Sequence, residues 1–232
     1  MKLHLITAHF AGFTDYLASP AGEEHLYIWI TQKSFQEAWS PEAKDLRATY
    51  DACLDNPVTR RLWNREHFEP KRAMLLFLGE QPEFVRGMFE DLFNEAKSVE
   101  GRCARFAFYC DQLLEAHREA HPKSGLPGHF HGEDYHMISL YLTFRYPDRY
   151  APYDFDLLRR TLQAFEAPEL PRANDLGRYF RLMATLMKLL GKDDRLMAAH
   201  RERLDPEKHY MGESLLLAYD YCRFVQGRRP SP

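Results

Sequence analysis

Apolar residues recur at three- and four-residue spacing along almost the whole chain. Glycine or proline closes each run, a pattern that predicts a succession of amphipathic helices. Leu3, Ile6, Phe10, Phe13 and Leu17 predict a helix over 3–18, ended by Ser19-Pro20-Ala21-Gly22. Glu23 to Trp39 reads as a second helix, although residues 26–30 alone have the composition of a strand, as do 3–8. Ser40-Pro41-Glu42 has the marks of a helix start: a capping hydroxyl, a proline in the first turn and an acid at the positive end of the dipole. Leu46, Tyr50, Cys53 and Leu54 follow on one face. Asn56-Pro57 ends that helix and opens a short one.

Pro70–Leu78 and Pro82–Phe93 predict two helices around Gly79, and Val99–Ala120 a long one marked by Cys103, Phe106, Cys110, Leu113, Leu114 and His117. Residues 121–132, with two prolines and three glycines, form the longest irregular stretch. Tyr135–Phe144 is apolar nearly all round and predicts a central buried helix. Asp154 caps the next helix, and Asn174 is the expected cap of the clearest one, carrying Leu176, Tyr179, Phe180, Met183, Leu186, Met187 and Leu190 up to Gly191. Asp193-Asp194 reads as a solvated turn, and a last helix covers 213–225. The expected fold is all-α, about ten helices in a compact domain over 1–226, with a division into lobes 1–120 and 133–226 around the 121–132 loop left open. Residues 227–232 resemble a linker.

Composition supports this reading: 232 residues, 45% hydrophobic and 28% charged, suffice for a sizeable core. The net charge of -3 supplies no global attraction to nucleic acid or membrane, so any anion-binding surface is a local patch. Cys53, Cys103, Cys110 and Cys222 form no C-x-x-C pair and are expected as reduced, buried thiols of a cytoplasmic protein. No stretch has the length of a signal peptide core or a membrane span.

Complete catalytic motifs are missing: there is no G-x-S-x-G and no phosphate-binding G-x-x-x-x-G-K-S/T. The expectation is a non-enzymatic chain without cofactor. His129, His131 and His136, with Glu133 and Asp134 between them, have the residue types of a metal hydrolase site. The plainer alternative, preferred here, is a polar loop whose acids sit in the first turn of the next helix. Basic residues point elsewhere. Arg178, Arg181, Lys188 and Lys192 share one helix face opposite the apolar stripe, and Arg60, Arg61, Arg65, Lys71 and Arg72 form a second cluster. Tyr146, Arg149, Tyr150 and Tyr153 alternate rings and cation, which suits base stacking beside phosphate contact. An exposed helix face is also charged simply to be soluble.

Three blocks carry a family resemblance: Tyr27–Trp29 with Phe35–Trp39, Phe68–Arg72 with Phe84–Phe93, and Asp134–Tyr150. Together they resemble the helical region that precedes the AAA+ motor in some McrB-type restriction ATPases, over most of residues 23–225. The resemblance implies a specificity or adaptor module of a phage-defence system, contacting DNA, with an AAA+ motor or another defence subunit as partner. The alternative function is protein–protein docking without nucleic acid, and a third is a metal-dependent hydrolase at the loop histidines. The blocks are packing motifs, and the resemblance transfers no functional residue.

Overall fold

The computed structural model describes residues 1–62, 70–132 and 134–227. Among them every regular element is a helix. The α-helices are α1 (Leu3–Thr7), α2 (Phe10–Leu17), α3 (Leu26–Ala38), α4 (Leu46–Cys53), α5 (Pro70–Glu80), α6 (Pro82–Leu92), α7 (Val99–Ala120), α8 (His136–Arg145), α9 (Phe155–Ala164), α10 (Leu176–Leu190), α11 (Asp194–Glu202) and α12 (Leu216–Gly227). Short 3-10 turns occupy Pro20–Glu23 and Thr59–Leu62. Residues 3–7 and 26–30, within the two segments of strand-like composition, are helical. No helix among the described residues is long and apolar enough to cross a membrane.

The hub is α8. Every residue from Met137 to Phe144 is buried, so its polar groups must be bonded inside the protein. Ser139 Oγ donates to the His136 carbonyl at 2.7 Å and accepts from the Tyr153 backbone N–H at 2.7 Å. Thr143 donates to the Ser139 carbonyl, and the Gln32 amide of α3 donates to the Thr143 carbonyl at 3.0 Å. α3 and α7 pack on α8, and α7 also packs on α10. One buried cluster therefore runs from Ile6 to Val225, and packing crosses the 121–132 loop. Trp39, Phe89, Phe106 and Tyr141 interlock within it at ring separations of 5.1–5.9 Å.

Helix starts follow the side chains that can cap them. Asp154 accepts from the Leu157 N–H at 2.9 Å, and Ser98 caps α7. Three local expectations are corrected. Residues 40–44 are not helical; Asp45 caps α4 through the Ala48 N–H, while Arg86 binds the Pro41 and Ala43 carbonyls and holds that segment out of a helix. Asp175, not Asn174, caps α10 through the Arg178 N–H, since Asn174 accepts from the Tyr153 hydroxyl. Asp193-Asp194 is no free turn: Asp193 caps α11 through the Leu196 N–H at 3.0 Å. Helix α10 approaches α7 closely at Gly177, whose N–H donates to Glu100; a Cβ there would lie 2.5 Å from that carboxylate oxygen.

Candidate functional site

The loop histidines divide. His129 and His131 sit on either side of Phe130, whose φ of 58° folds the backbone back so that the two residues bond each other. The His131 N–H donates to His129 Nδ1 at 3.0 Å, and His131 Nδ1 donates to the His129 carbonyl at 2.5 Å. His131 Nε2 is therefore the acceptor and takes the Tyr141 O–H at 2.8 Å; the Tyr50 O–H in turn donates to Tyr141 at 2.7 Å. His129 Nε2 faces Asp111 at 2.9 Å. Burial, aided by the adjacent His129, pushes the His131 pKa down to about 3, so this ring is neutral. Cys110 completes a trio of possible ligands with His129 and His131. Burial raises its thiol well above the ordinary range. The ring nitrogens of the two histidines are held in a hydrogen-bonded core network beside the buried Cys110, and a metal would have to displace bonds already made. His136 stands apart, its ring nitrogens facing the Tyr153 and Leu62 carbonyls. Glu133 lies outside the described residues, and Asp134 precedes α8, accepting from the His136 N–H.

The loop expected to stack on bases is spent on the fold. Tyr150 and Tyr153 are buried. The Tyr150 hydroxyl donates to Glu95 and accepts from the buried Arg102 guanidinium, both at 2.7 Å. Arg149 pairs with Glu95 at 3.1 Å, and the Tyr146 hydroxyl donates to the Phe93 carbonyl. Burial pushes the Glu95 carboxyl up, but the bonds from Tyr150 and Arg149 and the Arg102 charge outweigh it and hold the pKa low. Neither Tyr150 nor Tyr153 has a ring face left for a base, a correction with a plain cause: the rings complete the core between α7, α8 and α10.

The basic clusters survive only in part. Arg61 covers the Tyr27 ring at 4.4 Å, Lys71 pairs with Asp51 at 2.5 Å, and Arg60 and Arg72 are exposed; Arg65 lies outside the described residues. On α10, Arg178 donates to the Glu169 carbonyl at 2.6 Å. Arg181, Lys188 and Lys192 are exposed and form no ion pair among the described residues.

Lys188 stands at the rim of a groove that the sequence did not reveal. This concavity of about 530 Å³ lies between α10, α11 and the segment 204–215. Ala184, Met187, Met197, Leu204, Met211 and Leu215 supply its apolar lining, and Lys188, Arg201, Asp148 and Glu213 its charges. Met211 is 48% exposed. The far wall is fixed in place: the Leu215 N–H donates to the Pro147 carbonyl, the Tyr210 N–H to the Trp29 carbonyl, and Lys33 to the Pro206 and Glu207 carbonyls. At its base His200 packs on Trp29 at 5.0 Å, and burial with the nearby Arg203 lowers its pKa to about 3. Arg203 pairs with the buried Asp220 at 2.7 Å. The groove was missed because α11 was missed; Asp193 followed by Leu196, Met197, Ala199 and His200 at helical spacing is the signal that carries it.

Comparison with protein families, curated proteins and solved structures finds no match to this chain. The resemblance to McrB-type restriction ATPases stands on its sequence blocks alone.

Proposed function

We propose that this chain is a non-catalytic docking module that seats an apolar helical segment of a protein partner, flanked by acidic residues, in the groove between α10 and α11. The observation that carries this reading is the groove's lining. Three methionines, Met187, Met197 and Met211, edge a preformed apolar concavity in which thioether side chains can repack around a helix face. Lys188 and Arg201, with Lys192 beyond, favour acids where the seated segment passes them, and Asp148 and Glu213 favour a base where it passes those carboxylates. The sequence resemblance would make the owner of that segment an AAA+ motor or another subunit of a defence system.

The test uses a fluorescently labelled amphipathic helical peptide with leucines at i, i+3, i+4 and i+7 and glutamates at both ends. Anisotropy titration should show saturable binding that Met187→Lys/Met197→Lys weakens at least about tenfold, about 1.4 kcal/mol. A scrambled peptide that binds equally well, or a double variant that binds unchanged, refutes the reading. A second reading, contact with the DNA backbone, draws on the exposed Arg181, Lys188 and Lys192. Salt-dependent retention of duplex DNA, weakened for every sequence alike by Arg181→Glu/Lys188→Glu, would favour it over docking.

A further inference from the structure

The ends of α5 and α7 bring together three groups that the loop histidines do not include. Glu80 is the last residue of α5, His117 lies in the last turn of α7, and His121 caps that helix. Four-residue spacing puts both imidazoles on one side of the helix, with ring centroids 4.9 Å apart. Glu80 Oε1 lies 2.7 Å from His117 Nδ1 and 3.3 Å from His121 Nε2. One ligating atom from each of the three lies within 4.8 Å of the others. On its far side, His117 Nε2 is 2.8 Å from Ser124 Oγ. The His117 side chain is 5% exposed and that of His121 56%, so the cluster has a buried wall and an open mouth.

We propose that Glu80, His117 and His121 form a zinc site whose fourth position is open to water. Ligands around tetrahedral zinc, at bond lengths of about 2.0–2.1 Å, stand about 3.3 Å apart. The Glu80–His121 pair already has that spacing. The Glu80–His117 pair is closer by roughly half an ångström, the difference between a hydrogen bond and two ligands of one tetrahedral ion, and a small turn of the half-exposed carboxylate supplies it. Two imidazoles and a carboxylate suit zinc rather than magnesium or calcium, which prefer oxygen alone.

For His117 the proton bookkeeping closes without an outside reagent, and the exposed His121 frees Nε2 by exchanging its ring proton with solvent. In the metal-free protein His117 Nδ1–H donates to Glu80, and Nε2 accepts from Ser124. Zinc takes the Nδ1 lone pair, and the ring proton then sits on Nε2 and donates to Ser124 Oγ. A hydroxyl can serve either tautomer, which makes Ser124 the outer partner that orients the ligand. This is the contrast with Cys110, His129 and His131. There the ring nitrogens are tied to backbone groups, to Tyr141 and to Asp111, whereas here both imidazoles converge on one carboxylate oxygen. Occupancy would clip the end of α5 to the end of α7 and to the start of the 121–132 loop.

The test is calorimetric titration of chelator-stripped full chain with zinc chloride at pH 7.5, alongside thermal melts. One equivalent should bind and raise the Tm by several degrees, while magnesium does neither. His121→Ala and Glu80→Gln should each weaken binding at least about tenfold, and His129→Ala should leave it intact. His121 is exposed, so its variant keeps the metal-free melt and circular dichroism spectrum. No saturable binding at micromolar zinc, equal stabilisation by magnesium, or binding that His121→Ala and Glu80→Gln leave untouched would overturn the proposal.

Discussion

Replacing Tyr141 by phenylalanine removes one oxygen from the middle of a buried chain of three groups. That oxygen donates to His131 Nε2 at 2.8 Å and accepts from the Tyr50 hydroxyl at 2.7 Å. The order of donors is fixed from one end, because the His131 Nδ1 proton is committed to the His129 carbonyl. Without the Tyr141 oxygen, an imidazole acceptor and a phenol donor both lose the partner described here, in a place water does not reach. Each such buried group costs about 1–3 kcal/mol, so Tyr141→Phe should destabilise by about 2–6 kcal/mol. Tyr50→Phe is the control. It removes the end of the chain, and Tyr141 still donates to His131, so the expected loss is about 1 kcal/mol. In a domain of this size 1 kcal/mol shifts the Tm by about 2–4 °C, which separates the two variants in one calorimetric scan. The double variant should be no less stable than Tyr141→Phe alone, because the second change removes the stranded phenol. Urea unfolding that finds the two single variants equal, or additive in the double, would refute this wiring of the core.

Two further outcomes follow from buried charges. His131 and His200 are both neutral in the fold, with pKa values of about 3 against an unfolded value near 6.5, so the unfolded chain binds more protons between those limits. Stability is then full above pH 6.5 and falls as pH drops toward 3, by about 2 kcal/mol per histidine between pH 8 and pH 5; denaturant midpoints that stay flat over that range would contradict it. Asp220→Asn should cost about 3–5 kcal/mol by leaving the Arg203 charge buried without its counter-ion, and Arg203→Met/Asp220→Leu should recover much of that loss in the same unfolding assay.

What the sequence conveyed depended on whether a signal was local. Helix α7 is legible in the sequence at about its observed length because its apolar face is long and an irregular stretch with a proline at 122 follows its end. α9 was legible from its cap, Asp154. The central burial of α8 could be read from its lack of a polar face. Errors arose where two candidate caps competed. Asn174 and Asp175 are adjacent, and only the fold shows that Tyr153 occupies the first. Ser40-Pro41-Glu42 has every local mark of a helix start, yet Arg86 from α6 takes the Pro41 and Ala43 carbonyls and the helix begins after Asp45. Local propensity is a weak prior where a distant side chain offers the backbone a better bond.

The candidate sites were less legible, because each is made by elements far apart in the chain. Residue type and spacing picked out His129, His131 and His136, but spacing along a loop does not say which nitrogens the fold consumes. Phe130 in its left-handed conformation turns two of them into a closed network, and His136 goes to the Leu62 side of α8. Of the pair beside Glu80, His117 reads in the sequence only as part of the packed face of α7 and His121 is not singled out, since four-residue spacing on a long amphipathic helix is also what a packed face looks like. What changes its meaning is Glu80, 37 positions earlier, delivered by the end of α5. The same holds for aromatic and basic runs. Tyr146 to Tyr153 has the composition of a recognition loop, yet buried Arg102 needs hydrogen-bond acceptors, and the fold supplies the Leu92 carbonyl, Glu95 and the Tyr150 hydroxyl. A buried guanidinium thus decides the role of a tyrosine 48 residues away. Among the surfaces the core leaves exposed are the methionine-edged groove and the cations Arg181 and Lys188 of the α10 face, with Lys192 just past its end. Both lie where α10 meets solvent, so Lys188, which lines the groove and shares a face with Arg181, is the side chain that the proposed docking and the alternative DNA-backbone contact would each use.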